Sequence, residues 1–447
     1  FVSGGGAMIP KYHIYNCNYW NNPVLIKQTD YKAIPAGGGI SYQKRKETSN
    51  VFSITNLDDV AGLHVQRLYV LPQTGIVGPG VDVERWAAIY QSMNVYTFSD
   101  YHIPVGVKNL TSSTELLYND DGSTVANTVS YTYNAKQYVS QKTSNASDGG
   151  SINTQITYPF DYTGDDVLTQ MVDPSHNMLN FPIEQNEFRN STPIKGVRTN
   201  YLNFQNRWGL ANPMILPQTV DVKKGADAYE TRLIYQDYDK KGNLTSVAKQ
   251  GDLSHAYIWD YNFSYPVAEI STPFGSSSIA YTSFEADGSG NWIIPSTLRN
   301  NTQSFTGQQS YDLSNGGISI NGFDAAIWYT LSYWSKNGMY HCPNAISVKT
   351  GSTINGWTYY EARVFISSLG TTYIDGSGLI DEVRLYPERA LMTTYTYSPL
   401  VGVTSSCDAS NKVTYYEYDG FGRLKLIRDL NGNILKTFKY QYQSTTP

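Results

Sequence analysis

Cysteine is scarce: Cys17, Cys342 and Cys407 are the whole complement of a 447-residue chain. Three thiols, odd in number and far apart, form at most one pair, so disulfides do not staple units of this size. Charge is sparse as well. Asp, Glu, Lys and Arg make up 16% of the residues, and a net charge of -5 with pI near 5.7 offers no field that would hold a polyanion. No Lys/Arg cluster compensates, which excludes a nucleic-acid partner. Nor does any apolar run approach the ~20 residues of a membrane helix, so no transmembrane segment is expected. The chain opens at Phe1-Val2-Ser3-Gly4-Gly5-Gly6 without an initiator Met, a basic stretch or an apolar stretch. A signal peptide would have to precede it, and the chain reads as a fragment of a longer protein.

Catalytic signatures are equally scarce. The six histidines, His13, His64, His102, His176, His255 and His341, are scattered, and none forms the i, i+4 pair with Glu that zinc hydrolases use. There is no Gly-x-Ser-x-Gly elbow and no Gly-rich loop with Lys to cradle phosphate. Gly4-Gly5-Gly6 and Gly37-Gly38-Gly39 lack a strand-to-helix context and read as turns. Two acidic neighbours, Asp165-Asp166 and Asp381-Glu382, invite comparison with the paired carboxylates of glycosidases. Adjacent strand residues point to opposite faces, so neither pair is expected to share a site.

What is abundant is tyrosine, at 38 copies beside 37 Gly, and that balance favours pleated strands joined by tight turns. The chain is long enough for two or three packed units. A degenerate repeat runs through it. Its clearest copy is Tyr415-Tyr416-Glu417-Tyr418-Asp419-Gly420-Phe421-Gly422-Arg423-Leu424, followed by a strand to Asp429 and the turn Asn431-Gly432-Asn433. Gly422 supplies the positive φ of a tight turn, and Asn431-Gly432 is a strong two-residue hairpin signal. Weaker copies stand at Tyr238-Asp239 through Leu244, Tyr118-Asn119 through Gly122, Tyr131 to Asn134 and Tyr395 to Pro399. In the first three, Tyr ends a strand and Asp or Asn enters a turn, where its side chain can bond the backbone two residues on, while Tyr395 to Pro399 suggests a further strand pair. A set of unrelated Tyr-rich hairpins would look much the same, and that alternative stays open.

The stretch 279-387 breaks the pattern and holds four of the eight Trp. Strand-like alternation at Ala280 to Glu285, Tyr329 to Ser335, Thr358 to Ile366 and Gly378 to Tyr386 suits a two-sheet sandwich or jelly roll of about 110 residues. Residues 1-111 are read as a mostly β segment, with strands at Ser41 to Lys46, Val51 to Ile54 and Leu63 to Val70, and a loop at Pro72 to Gly80. A short helix over Val81 to Met93, begun by Asp82, follows. Residues 112-278 are degenerate hairpin repeats, 279-387 the insert, and 388-447 the repeats resuming.

From Tyr418-Asp419 to Leu424, and again at Asn431-Gly432-Asn433, the chain resembles the Rhs/YD-repeat family. The run Met392 to Thr404 leading to Tyr415 is similar to the version found in large surface proteins of Gram-negative gliding and polymer-degrading bacteria. The resemblance implies an all-β fold: a YD-repeat β-sheet shell or ribbon carrying an inserted β-sandwich. It also implies secretion through a dedicated outer-membrane system, such as type 9 secretion, to the extracellular or outer-membrane surface. The family's self-cleaving segment and toxin tail have no counterpart here. At Ser283-Phe284-Glu285, Trp292 and Ile380 to Val383 the insert resembles jelly-roll carbohydrate-binding modules, which implies one structural Ca²⁺ held by Glu285 and Asp381.

Sugar rings stack an apolar face on aromatic side chains, so Trp357, Trp292, Tyr359 and Trp328 are the candidate glycan-binding residues. Trp334, in a central strand, reads as core. The leading expectation is a non-catalytic, adhesin-like surface scaffold whose insert binds glycan or another surface or secretion component. A fragment of a toxin-delivery cocoon and an accessory part of a polysaccharide-degrading enzyme are the two competing expectations.

Overall fold

The computed structural model describes residues 23–67, 96–204, 214–273, 278–324, 327–366 and 370–441. The helix expected over Val81 to Met93, the loop before it, Cys17, His13 and Gly4-Gly5-Gly6 lie outside the described residues. The chain divides into two units, Phe1–Thr157 with Gln185–Lys195, and Tyr158–Glu184 with Gly196–Pro447.

The first unit is an antiparallel meander of β1 (Lys27–Ala36), β2 (Gly39–Arg67), β3 (Tyr96–Tyr118), β4 (Thr124–Tyr133), β5 (Val139–Asn145) and β6 (Ser151–Thr157). Three separate strands were expected in the first 70 residues. Instead β2 runs unbroken for 29 residues, because bulges at Val51/Phe52 and Asn56/Asp58 absorb the local breaks in alternation.

From here β7 (Glu184–Arg189) and β8 (Thr192–Phe204) lead on, after a seven-residue helix, α1 (Asp166–Val172). Asp165 is therefore not a strand residue: its Oδ1 accepts the Val167 and Leu168 amides, each at 2.9 Å, and caps α1. The second unit then builds β9 (Met214–Lys224), β10 (Glu230–Tyr238), β11 (Leu244–Lys249), β12 (Ser254–Asp260) and β13 (Tyr265–Thr272), each antiparallel to the one before.

One turn recurs in both units, and it explains the Tyr-Asp pattern. At Asp239 the amide donates to the Asn243 carbonyl at 2.9 Å, while the Gly242 amide donates to the Asp239 carbonyl at 3.0 Å. Asp239 Oδ1 accepts the Lys241 and Asn243 amides as well. The same arrangement stands at Asp419, Asp429, Asp408 and Asn134. Each is a three-residue loop whose last residue is left-handed: Gly242 (φ 84), Gly422 (φ 70), Gly432 (φ 84), Asn411 (φ 59) and Gln137 (φ 67). Asn431-Gly432 is thus not the centre of a two-residue turn. Asp429 closes the loop against Asn433, and Gly432 takes the left-handed place.

The tyrosine has its own task. Tyr238 Oη donates to the Pro217 carbonyl at 2.7 Å, Tyr418 to Val403 at 2.9 Å and Tyr133 to Leu110 at 2.9 Å. Asp shapes its own turn while Tyr ties that strand to a carbonyl of an earlier one. Tyr418→Phe is expected to cost about 1 kcal/mol, the worth of one such bond. A urea titration midpoint that falls while the slope stays constant would show it.

Between β13 and the next repeat strand lies the insert, yet the sheet closes across it. β22 (Leu391–Ser398) pairs directly with β13, Ala268 opposite Thr394 and Ser271 opposite Leu391, and the meander continues through β23 (Gly402–Cys407), β24 (Val413–Tyr418), β25 (Leu424–Asp429) and β26 (Ile434–Thr437). Within the insert are β14 (Ala280–Thr282), β15 (Tyr311–Asp312), β16 (Ile318–Ile320), β17 (Trp328–Ser335), β18 (Ala345–Ile354), β19 (Trp357–Phe365), β20 (Thr372–Ile374) and β21 (Leu379–Pro387). The main sheet runs β14-β21-β17-β19-β18, with β15 also on β21, and β16 pairs with β20 alone. The two layers are unequal: one broad sheet and one two-stranded ribbon. Tyr329, Leu331 and Tyr333 of β17 face a core with Phe284, Trp292, Tyr311, Ile318 and Ile374. Trp334, next along, enters a second cluster with Phe305, Trp357, Cys407 and Val413, which joins the insert to β23 and β24.

Candidate functional site

The insert meets the repeat sheet through a sealed polar cluster. Asp381 is 0% exposed, Glu382 2% and Arg384 2%, all on β21. Alternation should send Asp381 and Glu382 to opposite faces. It fails here, because β21 bulges against β17, where Ser332 faces Arg384 but Trp334 faces Asp381, and Glu382 is left-handed at φ 52. Both carboxylates therefore converge on Thr306: Asp381 Oδ2 accepts its amide at 3.1 Å and Glu382 Oε1 its hydroxyl at 2.6 Å. Arg384 pairs with Glu382 at 3.2 Å and donates to Thr394 of β22 at 2.8 Å and to Asn411 at 3.1 Å. Tyr281 Oη completes the shell of Glu382 at 2.8 Å. Burial and the neighbouring Glu382 push the Asp381 carboxyl well above the carboxylate range, and burial lifts the Cys407 thiol to about 11. Two facing acids are the raw material of hydrolysis, but with exposures this low no substrate reaches them. Their chemistry is that of a rivet between insert and sheet.

Glu285 serves the same loop from the other side. Its Oε1 accepts the Gln308 amide at 2.7 Å and that of Gln309, and a Cβ on Gly307 (φ +58) would lie 2.2 Å from its carboxyl carbon. Burial outweighs those two donors and raises Glu285 to about 7. This donor set does not fit calcium. Ca²⁺ needs carbonyl and carboxylate oxygens turned inward, whereas Asp381 and Glu285 are capped by amide hydrogens that a cation would repel. Among the described residues no group of three His, Cys, Asp or Glu is placed to hold a metal ion.

The four aromatic candidates part company. Trp292 is 2% exposed, with Nε1 donating to the Val383 carbonyl at 3.3 Å, and belongs to the insert core. Trp357 is also 2% exposed: it follows the Asn355-Gly356 turn as expected, but its ring turns inward beneath Phe305, 6.3 Å away between centroids. A sugar cannot stack on either. Tyr359 is half-buried against Trp334 at 5.4 Å and donates to Glu361 at 3.1 Å. Trp328 lines a concavity of about 550 Å³ with Pro273, Ile327, Arg363, Pro387, Glu388 and Arg389. The Arg363 guanidinium covers one ring face at 4.5 Å, and half-exposed Phe365 lies 5.0 Å away. Arg363 is itself fixed by Glu388 at 2.6 Å, and the Glu388 amide donates to the Trp328 carbonyl at 3.0 Å.

No family model matches the chain, and no curated protein matches it. Solved structures do. The chain is similar to the crystal structures of TcdB2-TccC3-TEV (9% identity, TM-score 0.26) and of TcdB2-TccC3 (8% identity, TM-score 0.27). In each case 86% of this chain aligns with 24% of the other, so it spans about a quarter of their length. At so low a TM-score and identity the likeness transfers neither a fold assignment nor an activity.

Sequence reasoning singled out Trp328 but not the residues that shape its groove. Arg363 and Glu388 stand 25 positions apart, and only the β17–β19 and β17–β21 pairings bring them together. Arg384 had no signal beyond being the one basic residue of a strand that also carries Asp381 and Glu382.

Proposed function

We propose that this chain is part of a non-catalytic, secreted surface scaffold, an Rhs/YD-type β-sheet whose insert binds glycan or a surface partner in the Trp328 groove. The groove carries the reading: a half-buried indole in its wall, apolar neighbours in Ile327, Pro273 and Pro387, and an Arg363–Glu388 pair that presents hydrogen-bonding groups beside it. The recurring Asp turn and Tyr tie support the scaffold half, since a shell needs hairpins of one geometry laid side by side. The burial of Asp381 and Glu382 supports the non-catalytic half. Extracellular or outer-membrane surface placement in a Gram-negative bacterium belongs to the same proposal.

Trp328→Ala tests it. A glycan array or surface-plasmon titration is expected to lose at least tenfold in affinity, about 1.4 kcal/mol, while the far-UV spectrum stays unchanged. Binding equal to that of the parent chain would remove the groove from the account.

A further inference from the structure

β10, β12, β22 and β24 run in one direction through the repeat sheet, with one antiparallel strand between each and the next, so the turns that follow them share a rim. Two of those turns end in bare apolar side chains. Leu400, after β22, is 99% exposed, and Phe421, after β24, is 86% exposed. The two tips stand two strands apart, about 10 Å across the sheet. We propose that this rim docks on an anionic lipid surface, with Leu400 and Phe421 entering the interface.

Both residues depart from what their turns require. The Val401 amide donates to the Ser398 carbonyl at 3.0 Å, which closes a turn on Pro399 and Leu400, and Leu400 is left-handed at φ 66. A turn led by Pro ordinarily gives that place to Gly, and a bulky residue there is strained. The turn is held all the same: Tyr265 Oη accepts the Leu400 amide at 3.2 Å, and the Tyr265 ring stacks on that of Tyr397 at 4.8 Å. At 99% exposure the strain serves no packing within the chain, so its use lies outside it. Phe421 differs from its sister turns. The equivalent position holds Lys241, Asn431, Ser410 and Lys136 in the Asp239, Asp429, Asp408 and Asn134 turns, and all four are polar.

The carboxylates of the rim are engaged by backbone. Asp239 and Asp419 accept amides of their own loops, Asp419 also pairing with Arg423 at 2.6 Å, and Asp260 and Asp287 accept the amides of Tyr261 and Asn262. The cations are placed differently. Lys240 and Lys241 head the turn after β10 and are exposed, as is Lys439 beyond β26, and the Arg423 guanidinium lies 5.0 Å from the Phe421 ring centre. Cations at the foot of an apolar tip meet lipid phosphates while the tip enters the acyl boundary. Shape favours a bilayer over a protein groove. Both tips are convex and stand on separate hairpins, and a fluid interface receives such points without a matching cavity.

Co-sedimentation of the full chain with vesicles tests this, using phosphatidylcholine alone and phosphatidylcholine with about one third phosphatidylglycerol. The parent should pellet with the anionic vesicles and much less with the neutral ones, and high salt should weaken it. Leu400→Gly and Phe421→Ser should each lower partitioning at least about tenfold, as burial of one such side chain implies. Leu400→Gly relieves the left-handed strain, so its melting temperature should equal or exceed the parent's. The proposal falls if the parent stays in the supernatant, if it binds both vesicle types equally, or if either variant binds as the parent does. A Leu400→Gly chain that melts lower would overturn it as well, because the leucine would then be structural. Pelleting without vesicles that Phe421→Ser abolishes would assign the tips to a second copy of the chain and end the lipid reading.

Discussion

Arg384→Met unfolds the insert from its sheet at markedly lower denaturant, with an expected loss of about 3–5 kcal/mol. The reason is what remains behind. Glu382 stays buried at 2% exposure with hydroxyl donors from Tyr281, Thr306 and Thr394 but without the cation it was paired with. Removing one partner of a buried pair strands the other, whereas removing both leaves only a packing defect. The double variant Glu382→Gln with Arg384→Met should therefore recover most of the loss. The bonds from Arg384 to Thr394 and Asn411 also disappear, and these reach the repeat strands. Urea unfolding of parent, single and double variants checks both statements. A single variant within 1 kcal/mol of the parent would show that the cluster is not what fastens the insert.

The second large effect is a stability that falls as pH rises through neutrality. Glu285 holds its proton to about pH 7 in the folded chain against an ordinary 4.5, and Asp381 moves in the same direction. Between 4.5 and 7 the folded state thus binds more protons than the unfolded one, so stability declines across that window and the loss is complete above it. For Glu285, partly reached by solvent, the decline is roughly 1–2 kcal/mol after allowance for screening. Asp419 and Asp429 behave oppositely, held below the ordinary range mainly by bonds to Arg423 and Asn433, and their contribution fades only as pH falls below about 4. Glu285→Gln keeps an oxygen for the Gln308 and Gln309 amides and has no proton to lose. Its melting temperature should change less between pH 5 and pH 8 than the parent's, and exceed it at pH 8. A parent chain that becomes steadily more stable from pH 5 to pH 8 would refute the assignment.

Local chemistry was readable from the sequence; long-range convergence was not. The Asp-led turns were visible because every group that shapes them lies within five residues, and Gly422 took the positive φ that its neighbours required. Even there the loop length escaped, because Asn431-Gly432 carries the same composition in a two-residue turn as in the three-residue loop that Asp429 closes. The tyrosine tie was invisible, since Tyr418 reaches a carbonyl 15 residues back and any carbonyl would look alike in sequence. Trp357 failed as a sugar platform for a related reason: the turn that exposes its backbone says nothing about Phe305, 52 positions earlier, which closes over its ring. Alternation misplaced Asp381 and Glu382 because one bulge, set by pairing with β17, reverses the rule that alternation rests on.

The central proposal, a scaffold that binds without turning over what it binds, meets its most direct test in one assay. The intact chain is incubated with a panel of bacterial and plant polysaccharides, and both retained protein and newly formed reducing ends are measured. The account predicts retention on at least one polymer, lost with Trp328→Ala, and no reducing ends above the protein-free control. Reducing ends that rise in proportion to the chain's concentration, and vanish when one of its carboxylates is replaced by an amide, would contradict it.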